Sequence, residues 1–247
     1  MVIYQRPTFP VPTFRDATGA VIEYGRRWWE RPGGMPPEDT YGVVSHPERF
    51  APVHAVADAL VDYLTTRYEA VSSEDPAFVA DLTFEHSDVL RAVRVTPARP
   101  DAASLTFVYT NHPGVLLYAG LLHDFPFPDC GCDACDETSE SAARELEEIV
   151  MAVAEGRYRE TYDAGDEGPR PPGQWANWPG PASPDPSAPS ERLPGPWVSY
   201  EIVARDGSFR RCGEGALSGL PDERIAAAMA FLDRMDEGWQ PWPLREG

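Results

Sequence analysis

Along residues 52–68 apolar side chains return every three or four positions: Val53, Val56, Ala57, Leu60, Val61, Leu64 and Tyr68. That spacing places them on one stripe of a helix, and Pro52 suits its first turn. Just upstream, Ser45 and Glu48 have capping-box spacing and Pro47 fits a first helical position, so a short preceding turn is expected. A second helix follows Thr138, with Ala142, Leu146, Ile149, Val150 and Val153 on one side and Gly156 as its stop. Ile225, Met229 and Leu232, after Pro221 and before Gly238, mark a third.

Between the first two helices the period changes. Residues 89–96 alternate in the manner of a half-buried strand, and 105–110 and 115–122 are richer strands joined through the turn Asn111-His112-Pro113-Gly114. The pattern predicts three antiparallel strands, ending where Pro126 and Pro128 stop regular pairing. Residues 198–204 and 209–212 flank Asp206-Gly207, a hairpin signal because both central positions of that turn need a left-handed backbone. These elements describe an α+β protein: an antiparallel three-stranded meander and a C-terminal hairpin, packed by about three helices.

Composition sharpens the boundaries. Residues 1–45 are rich in proline, carry the Trp28-Trp29 pair and lack a period, which suggests an extended arm. Residues 46–165 form the core carrying the cysteines. Residues 166–196 are dominated by proline and read as a long loop, interrupted by Trp175 and Trp178. Residues 197–247 supply the hairpin and last helix, expected in the same domain as the core. The Trp239-x-x-Trp242-Pro segment echoes Trp175-x-x-Trp178-Pro; such aromatic segments dock either on a partner or on their own domain, and the second is favoured because exposed tryptophan promotes aggregation.

Charge narrows the function classes. Forty acidic residues against 21 basic ones give a net charge of −19, which opposes nucleic-acid binding and attracts basic partners. Every basic residue is arginine, so a lysine-bearing phosphate loop is excluded. The longest apolar run, 114–122, is far short of the roughly 20 residues a membrane helix needs, and the N-terminal residues lack a signal-like apolar segment. A cytoplasmic, thiol-reducing location is the expectation, and there clustered cysteines favour metal over a structural disulfide.

Cys130, Cys132 and Cys135 form C-x-C-x-x-C, and Gly131 offers backbone freedom for their sulfurs to converge. A tetrahedral zinc ion needs one more ligand, for which His123 and Cys212 are the candidates. Eight carboxylates between Asp129 and Glu148 face only Arg144 in that stretch, a field that favours a cation over a reactive thiolate. An iron–sulfur cluster using Cys212 is a lesser alternative. A calcium loop over 129–140 fails because Gly131 and Ala134 stand where a ligand and the turn glycine belong. His54, Asp58 and Asp62 lie at four-residue steps on the first helix, a pattern more usual for a solvated face than for acid–base work. No nucleophile elbow is present.

The phrase His123-Asp-Phe-Pro-Phe-Pro-Asp-Cys-Gly-Cys-Asp-Ala-Cys-Asp-Glu137, with the strand before it and residues 46–60, resembles an uncharacterised bacterial family of unknown function, over about residues 40–165. The resemblance implies no activity, cofactor or catalytic residue. The residues themselves suggest a zinc-stabilised interaction or regulatory protein meeting a basic protein partner. Two alternatives are a zinc enzyme with Asp124, Asp133 or Glu137 as base, and an acidic immunity-like or inhibitor module without metal.

Overall fold

A computed structural model describes residues 2–10, 12–29, 32–84, 86–163, 197–217, 220–235 and 238–246. The Pro-rich stretch with Trp175 and Trp178 lies outside the described residues. In chain order the elements are a small hairpin of β1 (Phe14–Arg15) and β2 (Val21–Ile22), helix α1 (Pro52–Arg67), strands β3 (Ala70–Glu74), β4 (Val89–Pro97), β5 (Leu105–Thr110), β6 (Gly114–Ala119) and β7 (His123–Phe127), helix α2 (Ser139–Ala154), strands β8 (Tyr158–Asp163), β9 (Trp197–Val203) and β10 (Phe209–Ala216), and helix α3 (Asp222–Leu232).

Strands β3 to β7 form one antiparallel meander in sequence order, so each strand pairs with the one made just before it. Alternation assigns its two faces. Val93, Val95, Leu105, Phe107, Tyr109, Val115, Leu117 and Phe125 point to the main core with Val56, Leu60 and Leu64 of α1 and Leu146, Ile149 and Val150 of α2. Ala92, Val108 and Tyr118 point the other way, where Leu82 and the partly buried Phe78 and Val79 around a 3-10 turn (Pro76–Asp81) cover them. Strands β8, β9 and β10 make a second antiparallel sheet in the order β10-β9-β8. Tyr158 and Ile202 carry it into the main core, and Val198 joins Leu122, Ile225 and Ala228 of α3 in a smaller cluster.

The antiparallel α+β class is as the pattern predicts, but the meander has five strands where the pattern gives three. β7 forms despite Pro126 because it is an edge strand: its free side needs no N–H, and Pro126 points out to solvent. β3 is the other edge, with only Ala70 buried, so its Val-Ser-Ser-Glu sequence carries no apolar alternation to read. β8 has no counterpart in the sequence pattern either, because Arg159, Glu160 and Thr161 mask its period.

Helix α1 begins with Pro52, and Thr138 caps α2: its side chain accepts from Ser141 N at 3.1 Å while Ser141 Oγ accepts from Thr138 N at 3.0 Å. Both halves of a capping box are thus present, with serine in the usual glutamate place. Thr138→Ala is expected to lower stability by about 1 kcal/mol, measured as a shift in urea midpoint with unchanged slope. The anticipated cap at Ser45 is not made. Residues Pro47–Phe50 do form a 3-10 turn, but Ser45 directs its hydroxyl to Asp133 instead.

The C-terminal segment packs on its own chain. Trp239 and Trp242 are 5% and 3% exposed; Trp242 Nε1 donates to Ala103 O at 2.9 Å and Trp239 Nε1 to Glu160 at 3.2 Å. Beyond them Pro243 O accepts from Glu69 N, and Leu244 bridges to Tyr68, closing the tail against the start of β3.

Candidate metal centre

The chain leaves β7 through a cis Phe127-Pro128 peptide and enters the cysteine loop, which ends at the capped start of α2. Here the Sγ atoms of Cys130, Cys132 and Cys135 lie within 4.8 Å of one another, and Cys130 and Cys132 are 3.3 Å apart. Cys132 is buried, Cys130 half-buried and Cys135 exposed. The backbone freedom is used elsewhere than expected: the left-handed residue is Asp136, with φ 55°, and not Gly131. A short polar side chain tolerates that conformation best after glycine.

Burial raises the Cys132 thiol. The backbone N–H groups of Cys135 and Gly42 and the two neighbouring thiols, Cys130 donating to its sulfur at 3.3 Å, outweigh that and lower it to about 7. Cys135, though its side chain is exposed, is pushed up to about 12 by partial desolvation of its sulfur against the loop and by the other two thiols. Three sulfurs of a single loop converging around backbone donors make a soft, anionic donor set suited to zinc or another thiophilic ion.

The loop is held from outside by the N-terminal segment. Asp133 N donates to Val43 O at 2.7 Å and Ala134 N to Thr40 O at 3.1 Å, a strand-like seam. Arg27 donates from its backbone N and its Nε to the Asp136 carboxylate, at 2.9 and 2.7 Å, and Trp28 Nε1 donates to Ala134 O. Asp133 is buried and accepts from Ser45 Oγ, Ser45 N and Tyr24 OH. These hydrogen bonds, with Arg27 and Arg49 nearby, outweigh its burial and hold its carboxyl below the usual range.

Arg49, only 3% exposed, is the central support. Its guanidinium donates to Gly131 O at 2.7 Å, Glu137 O at 3.1 Å and His46 O at 3.0 Å, and its NH1 is 3.8 Å from Asp133. The rings of Tyr24 and Phe50 lie against it, 4.2 and 4.3 Å from ring centroid to Cζ. Neither Arg27 nor Arg49 stands out in the sequence, where the cation local to the cysteines is Arg144. Both come from far along the chain: Arg27 stands beside the Trp28-Trp29 pair, and Arg49 just after Pro47 and Glu48, with nothing local to link either to the cysteines.

The remaining candidates lie as follows. His123 opens β7, buried, with its ring 4.8 Å from that of Tyr200 and its Nδ1 3.7 Å from Glu160. That Nδ1 has no hydrogen-bond partner. Cys212 stands on β10 opposite Glu201, half-buried and raised by burial and by Glu201 and Glu214. Among the described residues the group close enough to share an ion contains the three loop cysteines, without His123 or Cys212. Asp124 accepts from Thr83 N and Oγ1 on the far side of the sheet. Glu137 accepts from Cys130 N at 3.1 Å and Asp129 N at 3.4 Å, and burial raises it to about 6. On α1, His54 Nε2 contacts Gly114 O at 2.8 Å, and Asp58 accepts from Tyr109 OH at 2.8 Å and from Arg91. Those two side chains tie α1 to the sheet and are not gathered into a site.

A family model matches residues 10–246, the arm, the cysteine loop and the C-terminal tail together. The chain belongs to DUF6226, a family of unknown function. The resemblance drawn from residues 40–165 was thus to an uncharacterised family, and the match extends over nearly the whole chain. No curated protein and no solved structure matches the chain. No helix of the described residues is long and apolar enough to cross a membrane.

Proposed function

We propose that this DUF6226 protein is a metal-stabilised binding protein in which Cys130, Cys132 and Cys135 hold zinc and the loaded loop fixes the N-terminal segment to the core. The observation that carries this reading is the convergence of three sulfurs within 4.8 Å at a loop that also receives Gly42, Thr40 and Val43 of that segment. For the fourth position His123 and Cys212 would each have to approach, and solvent on the exposed Cys135 side is the other candidate. The acidic surface suits a basic protein partner in the cytoplasm. Residues 46–165 and 197–247 act as one domain, to which the first 45 residues are the arm.

An enzymatic use of the same ion has less support. Asp133 is occupied by Ser45 and Tyr24, Glu137 by two backbone N–H groups, and Asp124 faces the other side of the sheet. A groove of about 890 Å³ lies between Thr83, His86, Leu220 and Arg224, and no cysteine lines it.

Elemental analysis of protein purified without added metal tests the reading. One zinc per chain is expected, falling at least tenfold in Cys132→Ser. Wild-type protein with no stoichiometric metal and all thiols free would end it and favour the acidic, metal-free inhibitor module.

A further inference from the structure

We infer that the cysteine loop is an oxidative modification site for hydroperoxides, at which a Cys132–Cys135 disulfide forms, the ion is expelled and the N-terminal segment is released. This rests on the metal reading above. Three features of the structure carry it.

Exposure chooses the first sulfur. In the metal-bound state all three cysteines are thiolates, so access decides which meets a small oxidant, and Cys135 is the exposed one. Proximity chooses the second. All three sulfurs lie within 4.8 Å of one another, and of the two partners open to Cys135 the nearer along the chain is Cys132, whose C-x-x-C spacing closes a smaller loop than the one to Cys130. The seam then transmits the change. The residues between the two cysteines, Asp133 and Ala134, are those that hold Val43, Thr40, Ser45 and Trp28. Drawing Cys132 and Cys135 together into a disulfide moves the backbone between them and with it those contacts.

The chemistry balances. Cys135 sulfur attacks the peroxide, the O–O bond breaks, and the leaving hydroxide takes a proton to become water (or the alcohol, from an organic hydroperoxide). Cys132 sulfur attacks the resulting sulfenic acid, the S–O bond breaks, and a second proton completes another water. Two electrons pass from two sulfurs to one peroxide, and the ion leaves as the dication because two of its thiolates are gone.

The test uses the full chain as purified, treated with hydrogen peroxide. Released zinc is followed with a chromophoric chelator, free thiols are counted, the disulfide is mapped by mass spectrometry, and trypsin cleavage after Arg27 reports the arm. Arg27 is engaged with Asp136 in the docked state, so cleavage there should accelerate at least tenfold after oxidation and slow again after dithiol reduction with zinc restored. Cys130→Ser should still form the disulfide, and Cys135→Ser should lose at least tenfold in oxidation rate. Zinc retained under peroxide, a disulfide elsewhere, or an unchanged cleavage rate after the ion has left would each overturn the inference. Failure of the metal reading is distinguishable, because it appears as absence of zinc before any peroxide is added.

Discussion

Arg49→Ala is expected to destabilise the protein by about 3–5 kcal/mol, the cost of breaking a buried ionic contact from one side. The substitution removes a guanidinium that three backbone carbonyls, of His46, Gly131 and Glu137, use as their donor. It also leaves the buried Asp133 without one of its two nearby cations. Burial already lowers the Arg49 pKa, so the charge is held there at a cost that only these partners offset. In a chain of this size the loss corresponds to a thermal midpoint lower by about 6–20 °C, at about 2–4 °C per kcal/mol. Arg49→Lys should recover only part, because an ammonium cannot span three carbonyls with a fixed planar fork. A midpoint within a degree of wild type would show that Arg49 does not support the loop.

Glu160→Leu is the second large effect, expected at about 3 kcal/mol or more, from three buried donors left without an acceptor. The Glu160 carboxylate is fully buried and accepts from Leu122 N at 2.8 Å, Leu121 N at 3.1 Å and Trp239 Nε1 at 3.2 Å. It therefore joins three distant pieces: the turn after β6, strand β8 and the C-terminal tail. A Cβ at Gly120 would come within 2.4 Å of the same carboxylate, which shows how tightly the turn closes over it. The measurement is chemical denaturation followed by tryptophan fluorescence. Glu160→Gln should lose less, because its amide oxygen still accepts. If the leucine variant matched wild type, the carboxylate would not be what anchors the tail.

Which features the sequence revealed follows from where their causes lie. The helices over 52–68 and after Thr138 were legible because their stripes and stops are local, and so was the Asp206-Gly207 hairpin. Edge strands were not: β3 buries only Ala70 and so has no apolar alternation, while β7 does turn His123, Phe125 and Phe127 inward but carries Pro126, which reads as a break. The cysteines themselves stand out in the sequence at short spacing. Their surroundings do not: Arg27, Trp28, Gly42 and Arg49 reach the loop only through tertiary packing, so local charge counting gave an acidic field where the folded loop also meets two guanidiniums. Ser45 shows the same limit, its capping pattern being overridden by a buried carboxylate brought close by the fold.

The pairing of β8 with β9 has a consequence for how this chain can vary. Asp163 and Trp197 sit directly opposite one another in register, so a tight turn would suffice to connect them. The number of residues between two positions so paired weighs little on the fold, because each doubling of a connection costs only about 0.6 kcal/mol. The register of β8 on β9 is therefore set by their own side chains and partners, not by the length of chain that separates them.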